Sequence, residues 1–309
     1  MAHAHGHGHS HSHSHGHHHG DGAIGWAVAV NLALTVAQIG GGYVADSTAL
    51  VADGIHNLSD ALALVLAFGA RRLARRAASP DWSFGWRRAE IVAAFVNYLA
   101  LIAVSIWLAV EAFGRLADPP QVAGGLVMAL AGFALVVDLA TAALVYRMSK
   151  DSVNIRAAFL HNLADAGVSV AVIFGGLLIW AFGWNLADPI LTLTISVVIL
   201  WHIGLEIGPV FRMLMLGAPP GSDPGAVMAS LRDLDGVRDA HHLHLWQIDE
   251  TRTAASVHLV IEGEDHFAIT RDAKAVLREA HGIGHATIEV EPPEACADDE
   301  DDHGHAHPH

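Results

Sequence analysis

Cysteine is nearly absent. The single Cys296 in 309 residues cannot close an intrachain disulfide, and no Cys-x-x-Cys zinc ribbon can form. Transition-metal chemistry in this chain therefore falls to imidazole and carboxylate. Charge is also scarce, at 16% Asp, Glu, Lys and Arg, where a soluble domain carries about a quarter. Basic residues are the scarcer sign, 17 Lys and Arg against 32 Asp and Glu. Without a broad clustered Lys/Arg surface to meet a phosphate backbone, no nucleic-acid partner is expected. A secretory leader is not expected either, because the first apolar run begins at Ala23 with no cleavage-site pattern.

What the chain has is apolar length: 52% of its residues are hydrophobic. Six apolar segments, each near the roughly 20 residues that cross a bilayer, are read at 24–44, 48–70, 89–113, 122–146, 157–182 and 190–208. Their separators suit interfacial loops: an Arg-rich stretch with Pro80, then Asp118-Pro119-Pro120, residues 147–156, and Asp188-Pro189. Membrane lipid is thus the expected surrounding of this half. With the N-terminus inside, the cytoplasmic loops hold ten Lys and Arg and the opposite side only Arg115. That bias puts both termini in the cytoplasm.

The remaining charge and histidine are unevenly spread. Residues 1–215 carry 11 Lys and Arg against 13 Asp and Glu, and residues 216–309 carry 6 against 19, so a net charge of −13 sits in the last third. Of 24 histidines, ten lie in residues 1–19 and four in the last seven. Four regions result: a His/Gly/Ser tail (1–22), a six-helix transmembrane domain (23–212), a cytoplasmic domain (213–293) and an acidic His-rich tail (294–309). Both tails are too polar to pack a core. In the cytoplasmic domain a helix is read over 223–234, strands over 241–249 and 254–262 about a tight turn, a helix over 269–281 and a strand over 285–291. This αββαβ order suits a small α+β domain with its helices on one sheet face. Leu243, Leu245, Val257, Leu259, Ile261, Ile288 and Val290 would face those helices; His242, His244, His258, Glu289 and Glu291 would face away.

One motif stands out inside the apolar segments. The core His-Asn-Leu-x-Asp-Ala occurs at His56–Ala61 and again at His161–Ala166, 105 residues later. On a helix, His and Asp four residues apart share a face and can reach one ion. The two segments are separated by three crossings and run antiparallel. Asp60 is 11 residues from Arg71 and Asp165 is 9 from Arg156, which places both carboxylates roughly 13–17 Å deep at about 1.5 Å per residue. Two imidazoles and two carboxylates at one depth form a four-ligand set for a tetrahedral divalent metal such as Zn²⁺. The competing reading is a pair of buried polar locks between helices. It must explain why ionisable groups are kept where each costs about 2.5–3.5 kcal/mol or more to insert.

The stretch from Ser47 through Ala52-Asp53-Gly54-Ile55-His56-Asn57-Leu58-Ser59-Asp60 resembles the second transmembrane helix of cation diffusion facilitators. Phe84-Gly85-Trp86-Arg87-Arg88-Ala89-Glu90 resembles their approach to the third helix; the His161/Asp165 pair and His241-His242-Leu243-His244-Leu245-Trp246 also match. Running from about residue 24 to 291, the resemblance implies a homodimeric six-helix divalent-cation/proton antiporter with a ferredoxin-like cytoplasmic domain, in a bacterial inner membrane. In that family, His at the position of His56 resembles the zinc-preferring members, and iron- and manganese-handling relatives tend to have Asp. Ligand softness points the same way, since the extra imidazole favours zinc over manganese, although Cd²⁺ and Co²⁺ fit similar donors.

The expectation is a Zn²⁺ efflux transporter that exchanges metal for protons through His56, Asp60, His161 and Asp165. The alternative is a membrane-anchored zinc buffer or sensor without transport, and no hydrolytic constellation is visible. The resemblance also implies a second zinc site in the cytoplasmic domain at His241 and His258, with Glu289 and Glu291 standing where other members have His and Asp. That face could equally be a solvated or dimer-facing polar surface. His202 and Glu206 repeat the four-residue spacing, match no family motif, and are read as structural or as part of an ion approach route. Asn31, Gln38 and Asn97 are read as interhelical hydrogen-bond partners. The tails either gather cytoplasmic Zn²⁺ or are simply solvated.

Overall fold

The computed structural model describes residues 20–148, 153–262 and 265–292. Six long helices come first: α1 (Gly20–Ala45), α2 (Thr48–Ala74), α3 (Ala89–Arg115), α4 (Gly124–Met148), α5 (Val153–Phe182) and α6 (Ala187–Leu214). Five of them, α2 to α6, are long and apolar enough to cross a membrane, and α1 adds a shorter apolar stretch, Val30–Ala45. Helix α1 begins inside the expected N-terminal tail; the rest of that tail and the whole C-terminal tail lie outside the described residues. The larger difference is at α6, expected to stop at residue 208, which continues through Pro209 to Leu214. Proline removes one backbone donor but does not end a membrane helix when neighbouring groups take up the freed carbonyl.

The chain forms two compact units, one comprising residues up to Ala61 with Val104–Ile199, the other Leu62–Ala103 with Leu200 onward. Within the first, helices approach closely where side chains are small. A Cβ on Gly124 of α4 would lie 2.5 Å from the carbonyl oxygen of Gly176 and 2.9 Å from the backbone nitrogen of Trp180, both on α5. Such glycine contacts bring backbones together where lipid supplies no hydrophobic drive between helices. Gly124→Val should therefore lower the thermal stability of the detergent-solubilised protein, by an overpacking cost of about 1–3 kcal/mol. Gly132→Val on the same helix, where a Cβ meets open space, should leave the melting transition in place.

In the second unit, the α2–α3 connection carries a tight turn around Gly85 (φ +67°), with the rings of Trp82 and Trp86 tilted at 31° and 4.3 Å between centroids. It presents Arg88, whose guanidinium donates to the Gln247 carbonyl at 2.8 Å, and Arg87, 3.7 Å from Asp249. The cytoplasmic domain follows as α7 (Pro224–Arg232), β1 (Val237–Asp249), β2 (Arg252–Ile261), α8 (His266–Glu279) and β3 (Ile283–Glu291). Asp223 and Asp265 cap the two helices through bonds from Ala226 N and Ala268 N, the role expected of Asp before a first turn. The sheet order is β1-β2-β3, with β1 antiparallel to β2 and β2 parallel to β3. Val227, Leu231, Leu245, Val257, Leu259, Ala273 and Leu277 form the core, and Leu243, Ile288 and Val290 pack against it partly buried. The register of β1 shifts between His241 and His244, where His242 adopts φ +50°. This bulge breaks strict alternation and re-aims side chains at that end of the strand.

Candidate metal centre

The repeated motif converges as its helical spacing demands. His56 and Asp60 lie on α2, His161 and Asp165 on α5. His56 Nε2 is 3.9 Å from Asp60 Oδ2 and 3.4 Å from Asp165 Oδ1; His161 Nε2 is 3.3 Å from Asp60 Oδ2 and 3.6 Å from Asp165 Oδ2. The two imidazole rings stand edge to face, 6.3 Å between centroids. Four donors at 2.0–2.1 Å around a tetrahedral Zn²⁺ lie about 3.3–3.4 Å from one another. The four His–Asp separations approach that value, and ligand atoms of His56, Asp60 and Asp165 lie within 4.8 Å of one another, with His161 outside that tighter group; two neutral nitrogens and two anionic oxygens would balance a divalent charge. The buried His56 Nδ1 makes no hydrogen bond, so nothing on that side competes for the ring.

A polar network holds α2 in place beside this cluster. Gln38 of α1, fully buried, donates to Asp53 Oδ2 at 2.6 Å and accepts from Asn57 Nδ2 at 3.1 Å. A Cβ on Gly54 would lie 2.9 Å from Ile39 and 3.0 Å from Gln38 Cβ; glycine there lets α1 come close enough for Gln38 to reach both partners. On α4, buried Asp138 accepts from Ser169 Oγ of α5 at 3.3 Å. Asp188, at the start of α6, caps α2 from a distance in sequence. Its carboxylate accepts from Thr48 N at 2.9 Å, Thr48 Oγ1 at 2.8 Å, Ala49 N at 3.2 Å and Ser47 Oγ. A buried carboxylate at a helix N-terminus satisfies orphan donors and is favoured by the helix dipole.

In the cytoplasmic domain, β1 pairs His241 with His258 of β2. Ligand atoms of His241, His242 and His258 lie within 4.8 Å of one another. Glu291 of β3 bridges two of them, 3.2 Å from His241 Nε2 and 2.5 Å from His258 Nδ1, and Glu289 is 3.5 Å from His258 Nε2. The two glutamates therefore stand against the histidines. His242 joins because of the bulge, and sequence alternation alone does not reveal that. The buried His241 Nδ1 makes no hydrogen bond, and an imidazole-rich set with carboxylates is suited to zinc. His202 and Glu206 of α6 pair at 3.0 Å, and Tyr98 of α3 donates to the other Glu206 oxygen at 3.1 Å.

Residues 26–215 match the cation efflux transmembrane domain, and residues 219–293 the cytoplasmic domain of cation efflux proteins, a dimerisation domain. The zinc transporter ZitB of Escherichia coli (strain K12) is 33% identical over 291 residues, covering 92% of this chain and 93% of its own length. The cadmium, cobalt and zinc/H(+)-K(+) antiporter of Bacillus subtilis (strain 168) is 33% identical over 258 residues, 81% of this chain and 82% of its own. The zinc transporter ttm-1 of Caenorhabditis elegans is 31% identical over 288 residues, 86% and 70%. The two family models and these relatives together cover nearly the whole chain, an apolar helical domain followed by an α+β domain: this protein is an integral membrane transporter of the cation efflux family.

Proposed function

We propose that the chain exports Zn²⁺ from the cytoplasm in exchange for protons, with His56, Asp60, His161 and Asp165 as the transport site. The observation that carries this reading is the facing of the two His-Asp pairs, whose His–Asp separations of 3.3–3.9 Å approach those between ligands of a tetrahedral ion. Asp60 and His161 are the more exposed donors, at 34% and 45%, against 18% for His56 and 11% for Asp165. Release on the far side follows from protonation, because a histidine or carboxylate that binds a proton gives up the metal. At 100 mV, inside negative, carrying two positive charges outward costs about 4.6 kcal/mol. One proton moving inward returns about half of that, and each pH unit adds about 1.4 kcal/mol per proton. The working unit is a homodimer in a bacterial inner membrane, and the related antiporters named above motivate proton coupling.

We assign the cytoplasmic cluster of His241, His242 and His258 with Glu291 as a second, non-transported zinc site. Its test is stoichiometry: His241→Ala/His258→Ala should lose about one bound zinc per chain in a protein lacking both tails, while the membrane site keeps its own. Unchanged zinc content would dismiss this site. The transport reading is tested in proteoliposomes. An imposed pH gradient should drive Zn²⁺ uptake by both the full chain and a variant without the His-rich tails. Binding without flux would favour the buffer or sensor instead.

A further inference from the structure

The four donors leave one buried carboxylate of α2 without a task. Asp53 is 1% exposed, and among the described residues no Lys, Arg or His forms an ion pair with it. Its side-chain partner is neutral: Gln38 of α1 donates through Nε2 to Asp53 Oδ2 at 2.6 Å. Gln38 is itself held, because its Oε1 accepts from Asn57 Nδ2 at 3.1 Å, which turns its amide donors toward Asp53. An ionisable side chain inside a membrane helix is costly. Packing α1 on α2 needs no charge, since an amide at position 53 would also meet Gln38.

Two observations tie Asp53 to His56. It stands three residues before His56, and residues so spaced on a helix share a face, with Cβ atoms about 5–6 Å apart. His56 Nδ1 is buried and makes no hydrogen bond, while Nε2 faces Asp60 and Asp165. A histidine that binds metal through one nitrogen almost always donates its other N–H, commonly to a carboxylate. Asp53 has room for that bond, since Gln38 takes one of about four lone-pair sites. The repeated motif is asymmetric here: three residues before His161 the chain has Ala158.

We infer that Asp53 is a positioning residue of the transport site, which accepts the Nδ1–H of His56 when Nε2 binds Zn²⁺, with Gln38 fixing the carboxylate from α1. This rests on the transport-site reading above. The bond keeps the proton on Nδ1, orients the ring toward the ion and raises the basicity of Nε2. Asp53 acts through His56 and adds no fifth ligand. Helix α1, which supplies none of the four donors, thereby takes part in setting zinc affinity.

The test is Zn²⁺ uptake by the full chain in proteoliposomes, with KM and maximal rate read separately. Asp53→Asn keeps the side-chain shape and a partner for Gln38, and loses the charged acceptor. It should raise KM about tenfold or more, as removal of a group that orients a metal ligand does, with the maximal rate within about twofold. Gln38→Met should raise KM by a smaller factor. Adding it to Asp53→Asn should bring no further rise, because Gln38 acts through Asp53. A contact that only packs α1 on α2 would instead leave fewer working transporters, a lower maximal rate at unchanged KM. That result in Asp53→Asn, with flux abolished by Asp165→Asn, overturns the positioning role alone. If Asp53→Asn does not fold, Gln38→Met decides: a raised KM supports the role and an unchanged KM overturns it. Normal flux in Asp165→Asn overturns the transport site and the positioning role together.

Discussion

Asp165→Asn should reduce Zn²⁺ flux in proteoliposomes to the level of empty vesicles while leaving a folded, correctly sized protein. The substitution keeps the shape of the side chain and removes its charge. Asp165 is the most enclosed of the four donors, 11% exposed, and its two oxygens stand 3.4 Å from His56 Nε2 and 3.6 Å from His161 Nε2. Each of its oxygens thus faces one imidazole of the proposed site. With one carboxylate gone, a bound Zn²⁺ would leave a net positive charge deep in an apolar span, where charge is least tolerated. Changing a group that only orients a ligand typically costs 10–100-fold in metal affinity, so losing the ligand itself should cost about a hundredfold or more. His161→Ala should behave alike. Near-normal flux in either variant would dismiss the four-residue assignment.

His56→Asp should change which metal moves. The variant keeps four donors but makes three of them carboxylates, a harder set that suits manganese and loses the imidazole preference for zinc. Competition assays with both ions present should show the Zn²⁺-to-Mn²⁺ transport ratio falling by about tenfold or more. His56 is suited to this role because its Nδ1 is buried and unbonded; removing the ring breaks no hydrogen bond of that atom. A variant that simply stops transporting every divalent ion would indicate that His56 shapes the site without choosing the metal.

These expectations rest on features of very different visibility in the sequence. The His-Asp pairs are legible because helical spacing is local: four residues set the face, and the repetition at two matching depths supplies the rest. The cytoplasmic core was legible for the same reason, as alternation in β2 put Val257, Leu259 and Ile261 on the helix-covered face, where they are buried. The Asp188 cap on α2 was not, because it joins residues about 140 apart and no local pattern encodes that pairing. The contribution of His242 was hidden as well. It depends on a left-handed backbone at a bulge, φ +50°, and a period of two assumes that no such irregularity exists. The glutamates at 289 and 291 looked like departures from a ligand pattern, yet parallel pairing of β2 with β3 sets Glu289 directly beside His258. Helix α6 runs past the apolar stretch through Pro209 to Leu214, since proline is a stop signal in water and a tolerated kink in lipid.

Coupled antiport through this cluster is tested most directly by following Zn²⁺ and protons in the same vesicles. Proteoliposomes loaded with a zinc indicator and a pH indicator, and given an outward proton gradient, should show Zn²⁺ entering as protons leave. Both signals should vanish together in Asp165→Asn. Zn²⁺ entry that proceeds at the same rate without proton movement, or that survives the loss of Asp165, would contradict metal/proton exchange at His56, Asp60, His161 and Asp165.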